Sequence, residues 1–162
     1  MMNQTPIKVM FFCLGNICRS PIAHGVFEHL VQERGLADKF DIDSSGTSGY
    51  HTGEAPDPGS QRAVKKLLGA DISSQKAQRL SARHLEEFDV LVAMDANNRR
   101  DALKIAPQAT IHLMRDFDSK GRGQDVPDPW GYGDSHFEDV FDMVHRSCEQ
   151  LLEHLISEFQ LE

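Results

Sequence analysis

Ile7 to Phe12 is a run of apolar residues interrupted only by Lys8. That is the pattern of a strand buried on both faces of a parallel sheet. Gly15 and Asn16 break the run, and Ser20-Pro21 reads as a helix N-cap followed by proline at the first helical position. Ile22, Val26 and Leu30, with Phe27 and Val31, recur at spacings of four and predict an amphipathic helix closed by Gly35. Strand, tight loop and helix follow one another without a spacer.

The alternation then repeats. Phe40 to Ser45 predicts a second strand, followed by a loop rich in Gly, Ser, Thr and Pro through Gly59. Ala63, Val64, Leu67 and Leu68 predict a helix ending at Gly69, and Asp89 to Ala93 a third strand. Ala96 to Ile105 predicts a helix stopped before Pro107, and Thr110 to Met114 a fourth strand. A polar segment, Asp116 to Gly133, leads into a long helix with one apolar stripe: Phe137, Val140, Phe141, Val144, Cys148, Leu151, Leu152, Leu155, Ile156 and Phe159. Strands alternating with helices predict an α/β fold, an open parallel sheet with right-handed crossovers. Ligands in such folds sit at the carboxyl ends of the strands, near the switch in strand order. The loop after the first strand is therefore the place to look for chemistry. Residues 1–162 read as a single domain, with no internal repeat or low-complexity segment.

A chain of 162 residues buries about two-thirds of its extended surface, and 40% hydrophobic with 26% charged residues is a globular composition. Acidic residues outnumber basic ones 25 to 17, giving a net charge of −8 that repels phosphate backbones. No Lys/Arg run forms a stripe, so nucleic-acid binding is not expected, and an anionic ligand needs a local device that defeats the global field. No apolar stretch approaches the roughly 18 residues that cross a bilayer, so no membrane partner is expected. The run from Val9 to Leu14 is too short and too soon followed by Arg19 to be a secretory signal. A cytoplasmic location is expected, where the three cysteines stay reduced. The eight histidines form no ligand pair with cysteines at metal spacing, and neither metal nor cofactor is expected.

The loop reads Cys13-Leu14-Gly15-Asn16-Ile17-Cys18-Arg19-Ser20, so five residues must wrap from a buried strand into a helix. A turn that tight points successive backbone N–H groups inward as an anion nest at a helix N-terminus. Gly15 supplies a backbone shape other residues resist, and Asn16 tolerates left-handed dihedrals. Arg19 offers a planar fork matched to two phosphate oxygens. The same positive surroundings favour a thiolate at Cys13, with the Ser20 hydroxyl as donor, and no histidine is needed to activate it. A nucleotide-binding loop is excluded because no G-K-[ST] follows.

Cys13 to Pro21, with the strand before it, closely resembles the low-molecular-weight protein tyrosine phosphatases. The likeness runs along nearly the whole chain, through Asp43-Ser44-Ser45-Gly46-Thr47, Tyr50-His51, Asp57-Pro58, Met94-Asp95 with Asn98, and Asp128-Pro129-Trp130. It implies a three-layer α/β/α fold, flavodoxin-like and doubly wound, with a four-stranded parallel sheet of order 2-1-3-4. It also implies hydrolysis of phosphotyrosine monoesters through a phosphocysteine, with Cys13 as nucleophile, Arg19 as phosphate clamp and Asp128 as general acid, then base. The implied partner is a phosphotyrosine-containing protein, a bacterial tyrosine kinase among the candidates, with inhibition by phosphate-like oxyanions.

The chain departs from the family pattern in places. Gln75 stands where the family often has the histidine that supports the loop asparagine, and still has the reach to hydrogen-bond Asn16. His24 stands where a glutamate is common and reads as solvated surface. Gln78-Arg79 looks like the family's Arg-Gln pair reversed, and no role is carried over. Trp130-Gly131-Tyr132 resembles bacterial members more than the adjacent tyrosines of eukaryotic ones.

The residues argue for Asp128 independently. Expelling a phenolate needs a proton donor opposite the thiolate, and one carboxyl group can donate and then activate water. Asp128 sits between two prolines in a loop of limited freedom, Val126 to Gly133, while Asp125 is the local competitor. Asp57-Pro58 reads as a turn. The one Trp and both Tyr fall in two loops, as Tyr50, Trp130 and Tyr132, and suggest walls for a flat ring beside the nest. Cys18 is placed to trap an oxidised Cys13 as a disulfide, whereas Cys148 reads as core. Thioredoxin-coupled arsenate reductases resemble this chain but carry further mid-chain cysteines, absent here between Cys18 and Cys148. Protein-arginine phosphatases of the same fold carry a threonine where Ile17 stands, and remain the alternative activity. A non-catalytic phosphotyrosine-binding module predicts loss of Cys13 or Asp128, and both are present.

Overall fold

In the structure, a computed structural model that describes residues 5–162, strand β1 (Ile7–Cys13) runs through the centre of a parallel sheet. Strand β2 (Phe40–Gly46) pairs with it from Ile7 against Phe40 to Cys13 against Gly46. Strand β3 (Val90–Ala93) lies on its other side, and β4 (His112–Leu113) completes the order β2-β1-β3-β4. Alternation along β1 divides the core. Val9, Phe11 and Cys13 face helices α1 (Arg19–Glu33), α2 (Pro58–Leu68) and α5 (Asp134–Phe159). Met10 and Phe12 face α3 (Ala82–Glu87) and α4 (Ala96–Ile105). This is the predicted doubly wound architecture, and both faces of β1 are dry because both are covered. Phe27 of α1 meets Phe11 and Phe40 edge-on, with centroids 5.6 and 5.5 Å apart.

Several elements differ from the sequence reading, each for a local reason. Helix α1 begins at Arg19, not after Ser20, and its N-cap position falls on Cys18. The Ser20 hydroxyl is turned inward to Cys13 instead of capping the helix. Pro21 is tolerated because the first amides of a helix have no intrahelical acceptor to lose. Helix α2 starts earlier than its apolar pattern, at Pro58, where Asp57 accepts from the Gly59 amide at 2.8 Å; the Asp57-Pro58 turn is a helix cap. Strand β4 has only two residues, because the Leu113 amide bonds Asp116 Oδ2 at 2.9 Å and a turn follows. Helix α3 went unread in the sequence: its capping box pairs Ser81 with His84, an unusual residue for that position. Phe159, the last member of the predicted stripe, is exposed beyond the core, whereas Cys148 is fully buried as expected.

Helix α5 is tied to the segment after β4 by buried charge. Asp118, with no exposed surface, accepts from Arg115 Nε at 2.9 Å and from the Lys120 amide at 3.0 Å. Two more bonds come from Arg146 on α5, through Nε and Nη2 at 3.1 Å each. Burial pushes the Asp118 carboxyl up, but the Arg146 guanidinium, the Lys120 amide and Arg115 outweigh it and hold it at about 2. A folded value below the ordinary aspartate one, about 3.9, stabilises the fold above about pH 4. That stabilisation, about 2 kcal/mol, is lost as pH falls through about 2. Urea unfolding of wild type and Asp118→Asn down this range should show their stability difference shrinking with acid. A difference independent of pH would contradict the assignment.

Candidate active site

The loop between β1 and α1 is held by its neighbours. Parallel pairing continues past the sheet edge: the Thr47 amide donates to the Cys13 carbonyl at 2.8 Å and the Ser48 amide to that of Leu14 at 2.9 Å. Gly46 lies directly beneath the loop, where a Cβ would come within 2.7 Å of the Leu14 oxygen and 3.1 Å of the Asn16 nitrogen. The left-handed residue is Asn16, at φ 58°, and not Gly15. Gly15 is needed for a different reason: a Cβ there would sit 3.0 Å from the His51 ring.

Asn16 is the internal brace. Its Oδ1 accepts from the Gln78 amide at 3.0 Å, which fixes the side-chain amide so that Nδ2 faces two serines. That nitrogen donates to Ser20 Oγ at 2.7 Å and to Ser44 Oγ at 3.0 Å. Ser20 Oγ also lies 3.1 Å from Cys13 Sγ, and its hydroxyl is within 3.4 Å of the Ser45 carbonyl oxygen. Ser44 Oγ also hydrogen-bonds His24 Nδ1 at 3.2 Å.

Arg19, read as the phosphate clamp, is buried. Its Nη1 donates to Asp95 Oδ2 at 2.6 Å and to the Val126 carbonyl at 2.9 Å. Both Nη1 hydrogens are thereby used, and Nε and Nη2 have no hydrogen-bond partner among the described residues. Burial lowers the Arg19 pKa, but the Cys13 charge and the Asp95 hydrogen bond outweigh it and raise the value. The Asp95 carboxylate is shared: its Oδ1 accepts from the Asn98 amide at 2.7 Å and caps α4. Asp128 Oδ2 stands 3.8 Å from Arg19 Nη2, on a half-exposed side chain whose Oδ1 accepts from the Trp130 amide at 3.1 Å. Asp125, the competing acid, is engaged elsewhere, with Oδ1 on the Ala96 amide at 3.0 Å.

These groups surround one pocket of about 210 Å³, with Cys13, Cys18 and Arg19 at its base and Asp128 at its side. Leu14, Ile17, His51 and Trp130 form its walls. Tyr50 and Tyr132, predicted as walls, do not line it. Tyr50 is 83% exposed, and Tyr132 turns away after Gly131 at φ 84° to stack on His136, centroids 4.6 Å apart. Burial pushes the Cys18 thiol up, as do Asp57 and Asp128, so it stays protonated beside Cys13.

Residues 8–161 match the family described as low molecular weight phosphotyrosine protein phosphatase. The chain belongs to that family. As a member it is an enzyme, a protein-tyrosine phosphatase. YfkJ of Bacillus subtilis, a low molecular weight protein-tyrosine-phosphatase, is 38% identical over 158 residues, 96% of this chain and 99% of its own. The pig enzyme, a low molecular weight phosphotyrosine protein phosphatase, is 37% identical over 94% of this chain and 98% of its own. In three dimensions the crystal structure of YfkJ superposes with a TM-score of 0.90, at 34% identity over 97% of this chain and 99% of that one. The protein tyrosine phosphatase of Entamoeba histolytica follows at a TM-score of 0.87, with 32% identity over 95% of this chain and 99% of that one.

The phosphatase loop of this chain solves its support problem with its own residues. Gln75 does not reach Asn16, whose oxygen the Gln78 amide already occupies; it donates to the Pro21 carbonyl at 3.2 Å instead. His24 is not solvated surface: its side chain is 12% exposed, packed between Ser44 and Glu28. Gln78, to which no role was given, braces the loop twice, since its Nε2 also holds the Ser44 carbonyl at 2.9 Å. Single residues of this kind carry no pattern that sequence reading detects; Gly46 within Asp43 to Thr47 and Asp95 opening α4 at least sat inside recognisable motifs. Gly46→Ala, whose new methyl meets loop backbone that cannot yield, should lower kcat/KM by about tenfold or more through a misplaced nest. Phosphate inhibition should weaken in parallel, and unchanged inhibition would show that the loop is not braced there.

Proposed function

We propose that this enzyme hydrolyses protein phosphotyrosine through a phosphocysteine at Cys13. The observation that carries the reading is the convergence of Cys13 Sγ, the Nε–Nη2 edge of Arg19 and the Asp128 carboxyl on one pocket. The Cys13 thiolate attacks phosphorus in line, the S–P bond forms and the P–O bond to the tyrosine ring breaks. Asp128 hands its proton to the departing phenolate. A water then enters on the same side, gives a proton back to Asp128 and breaks the S–P bond, releasing phosphate. Arg19 and the inward amides, Leu14 to Cys18 included, meet charge on the equatorial oxygens in both steps, and Ser20 stabilises the sulfur as it leaves. Electrostatic stabilisation of this sort is the largest contribution when the donors are held in advance.

The walls favour a flat ring. Leu14, Ile17, His51 and Trp130 offer apolar contact along its length. Ile17 presents no hydroxyl to a guanidinium leaving group, which favours phosphotyrosine over phosphoarginine. Tyr50 and Tyr132 stand outside the pocket, within the surface that a phosphoprotein such as a tyrosine kinase must approach. The chemistry requires a reduced Cys13, which fits a cytoplasmic setting.

Phosphate release from phosphotyrosine and phosphoarginine peptides, compared under reducing conditions, tests the reaction. Turnover should be confined to phosphotyrosine, vanish in Cys13→Ser with phosphate binding retained, and fall at least about a hundredfold in Asp128→Asn. Preference for phosphoarginine, or a near-normal Asp128→Asn, would overturn the respective assignment.

Cys18 fits the role of resolving thiol. Peroxide takes Cys13 to a sulfenic acid, Cys18 Sγ attacks that sulfur, and water departs as the disulfide forms. Its protonated state keeps it from competing for phosphorus. Cys18→Ser should lose activity to peroxide irreversibly, whereas wild type recovers with dithiothreitol. Equal recovery in both would remove the lock.

A further inference from the structure

The segment that carries Asp128 is built around a buried arginine that does not line the pocket. Arg115 is 7% exposed, and Nε is spent on Asp118 at 2.9 Å. Its Nη1 reaches the Asp125 carbonyl at 3.2 Å and Gln124 Oε1 at 3.3 Å. The chain wraps the guanidinium so closely that a Cβ on Gly121 would fall 1.9 Å from Nη2. Gly123, at φ 79°, returns its amide to the Arg115 carbonyl at 3.0 Å. Immediately afterwards Val126 locks into the core, with its amide on the Met94 carbonyl at 2.9 Å and its own carbonyl on Arg19. Asp128 comes two residues later, half exposed. Its place is set by the backbone leading to it.

We propose that Arg115 is a positioning residue for proton transfer by Asp128: clamped between Asp118 and the Asp125 carbonyl, its guanidinium sets the point from which the acid loop leaves the core. The inference rests on the reading of Asp128 as the acid. The fork is what matters here. A lysine keeps the charge opposite Asp118, but as a single point cannot hold the Asp118 carboxylate and the Asp125 carbonyl in fixed directions. Small displacements suffice, because an acid moved by about 1 Å can cost up to about a hundredfold.

The measurement is kcat/KM, which reads transfer to Cys13, for Arg115→Lys on two substrates. One is a phosphotyrosine peptide, whose phenolate needs a proton to leave. The other is an aryl phosphate with an electron-poor ring, whose phenolate leaves without one. Arg115→Lys should fall about tenfold or more on the peptide and less than about threefold on the electron-poor ester. Inhibition by inorganic phosphate should change by less than about twofold, because the Cys13–Arg19 cradle is not what moved. Gly121→Ala is the second variant: its methyl displaces only the flexible end of Arg115, leaves every charge in place, and should show the same split. An equal loss on both substrates, or no loss, overturns the proposal, since a merely destabilised enzyme does not distinguish leaving groups. Asp128→Asn in the same assay separates the two levels. If it shows the split and the Arg115 and Gly121 variants do not, the positioning role fails and the acid stands. If Asp128→Asn shows no split, the acid assignment fails and this inference with it.

Discussion

A loop that is to offer its backbone amides to an anion, as proposed for Leu14 to Cys18, gives up the hydrogen bonds that would hold it in shape. Everything around Cys13 follows from that constraint. Leu14 to Cys18 cannot be a turn braced by its own N–H groups, so it is braced through side chains and carbonyls. The Asn16 carboxamide, 2% exposed, does this centrally, tying the loop to Gln78, Ser44 and Ser20 at once. Because the Gln78 amide dictates which way that carboxamide faces, the direction of each following bond is fixed. The Ser20 hydroxyl is thereby held between Asn16, Cys13 and the Ser45 carbonyl. The left-handed backbone at Asn16 belongs to the same solution, since only that geometry aims a side chain back beneath its own loop.

Charge is arranged on similar lines. A protein with net charge −8 holds an anion only where a buried cation outweighs the global field. Arg19 could not remain buried unpaired, and Asp95 partners it through one nitrogen only. Had Asp95 taken the guanidinium edge-on, the site would be neutral and closed. The sharing of Asp95 between Arg19 and the amide of Asn98 keeps that carboxylate in one orientation, and so keeps the other edge of the fork open.

The fold was legible because its signals are extended. Ile7 to Phe12 and the stripe of α5 repeat over many residues, and alternating strand and helix leaves few topologies. The nucleophile loop was legible because strand, turn and helix-start coincide there. The remainder of the site was not, for physical reasons. Gln78 and His24 act through contacts between residues distant in sequence, and nothing local marks those contacts. Tyr50 and Tyr132 illustrate the opposite failure. An aromatic in a functional loop is a sound candidate for a wall, yet one positive φ at Gly131 turned Tyr132 onto His136. Trp130 does line the pocket, together with Leu14 and Ile17, residues of the loop itself that a search for aromatic side chains passes over.

Two buried arginines show how structure and chemistry use one side chain differently. Arg115 has its Nε and Nη1 committed to Asp118, Gln124 and a carbonyl, and the chain closes over its remaining nitrogen at Gly121. Arg19 has one nitrogen committed and an open edge facing a pocket. The first is a filled socket about which a loop is wound, and the second keeps one edge without a hydrogen-bond partner among the described residues. They are joined through a few residues: the carbonyl of Asp125 takes a bond from Arg115, and that of Val126, the next residue, takes one from Arg19. The segment leading to Asp128 is thus pinned at adjacent carbonyls, by Arg115 on one side and by Arg19 on the other. A displacement of this segment at either carbonyl disturbs one of those bonds, so the backbone that leads to Asp128 is fixed by two buried guanidinium groups.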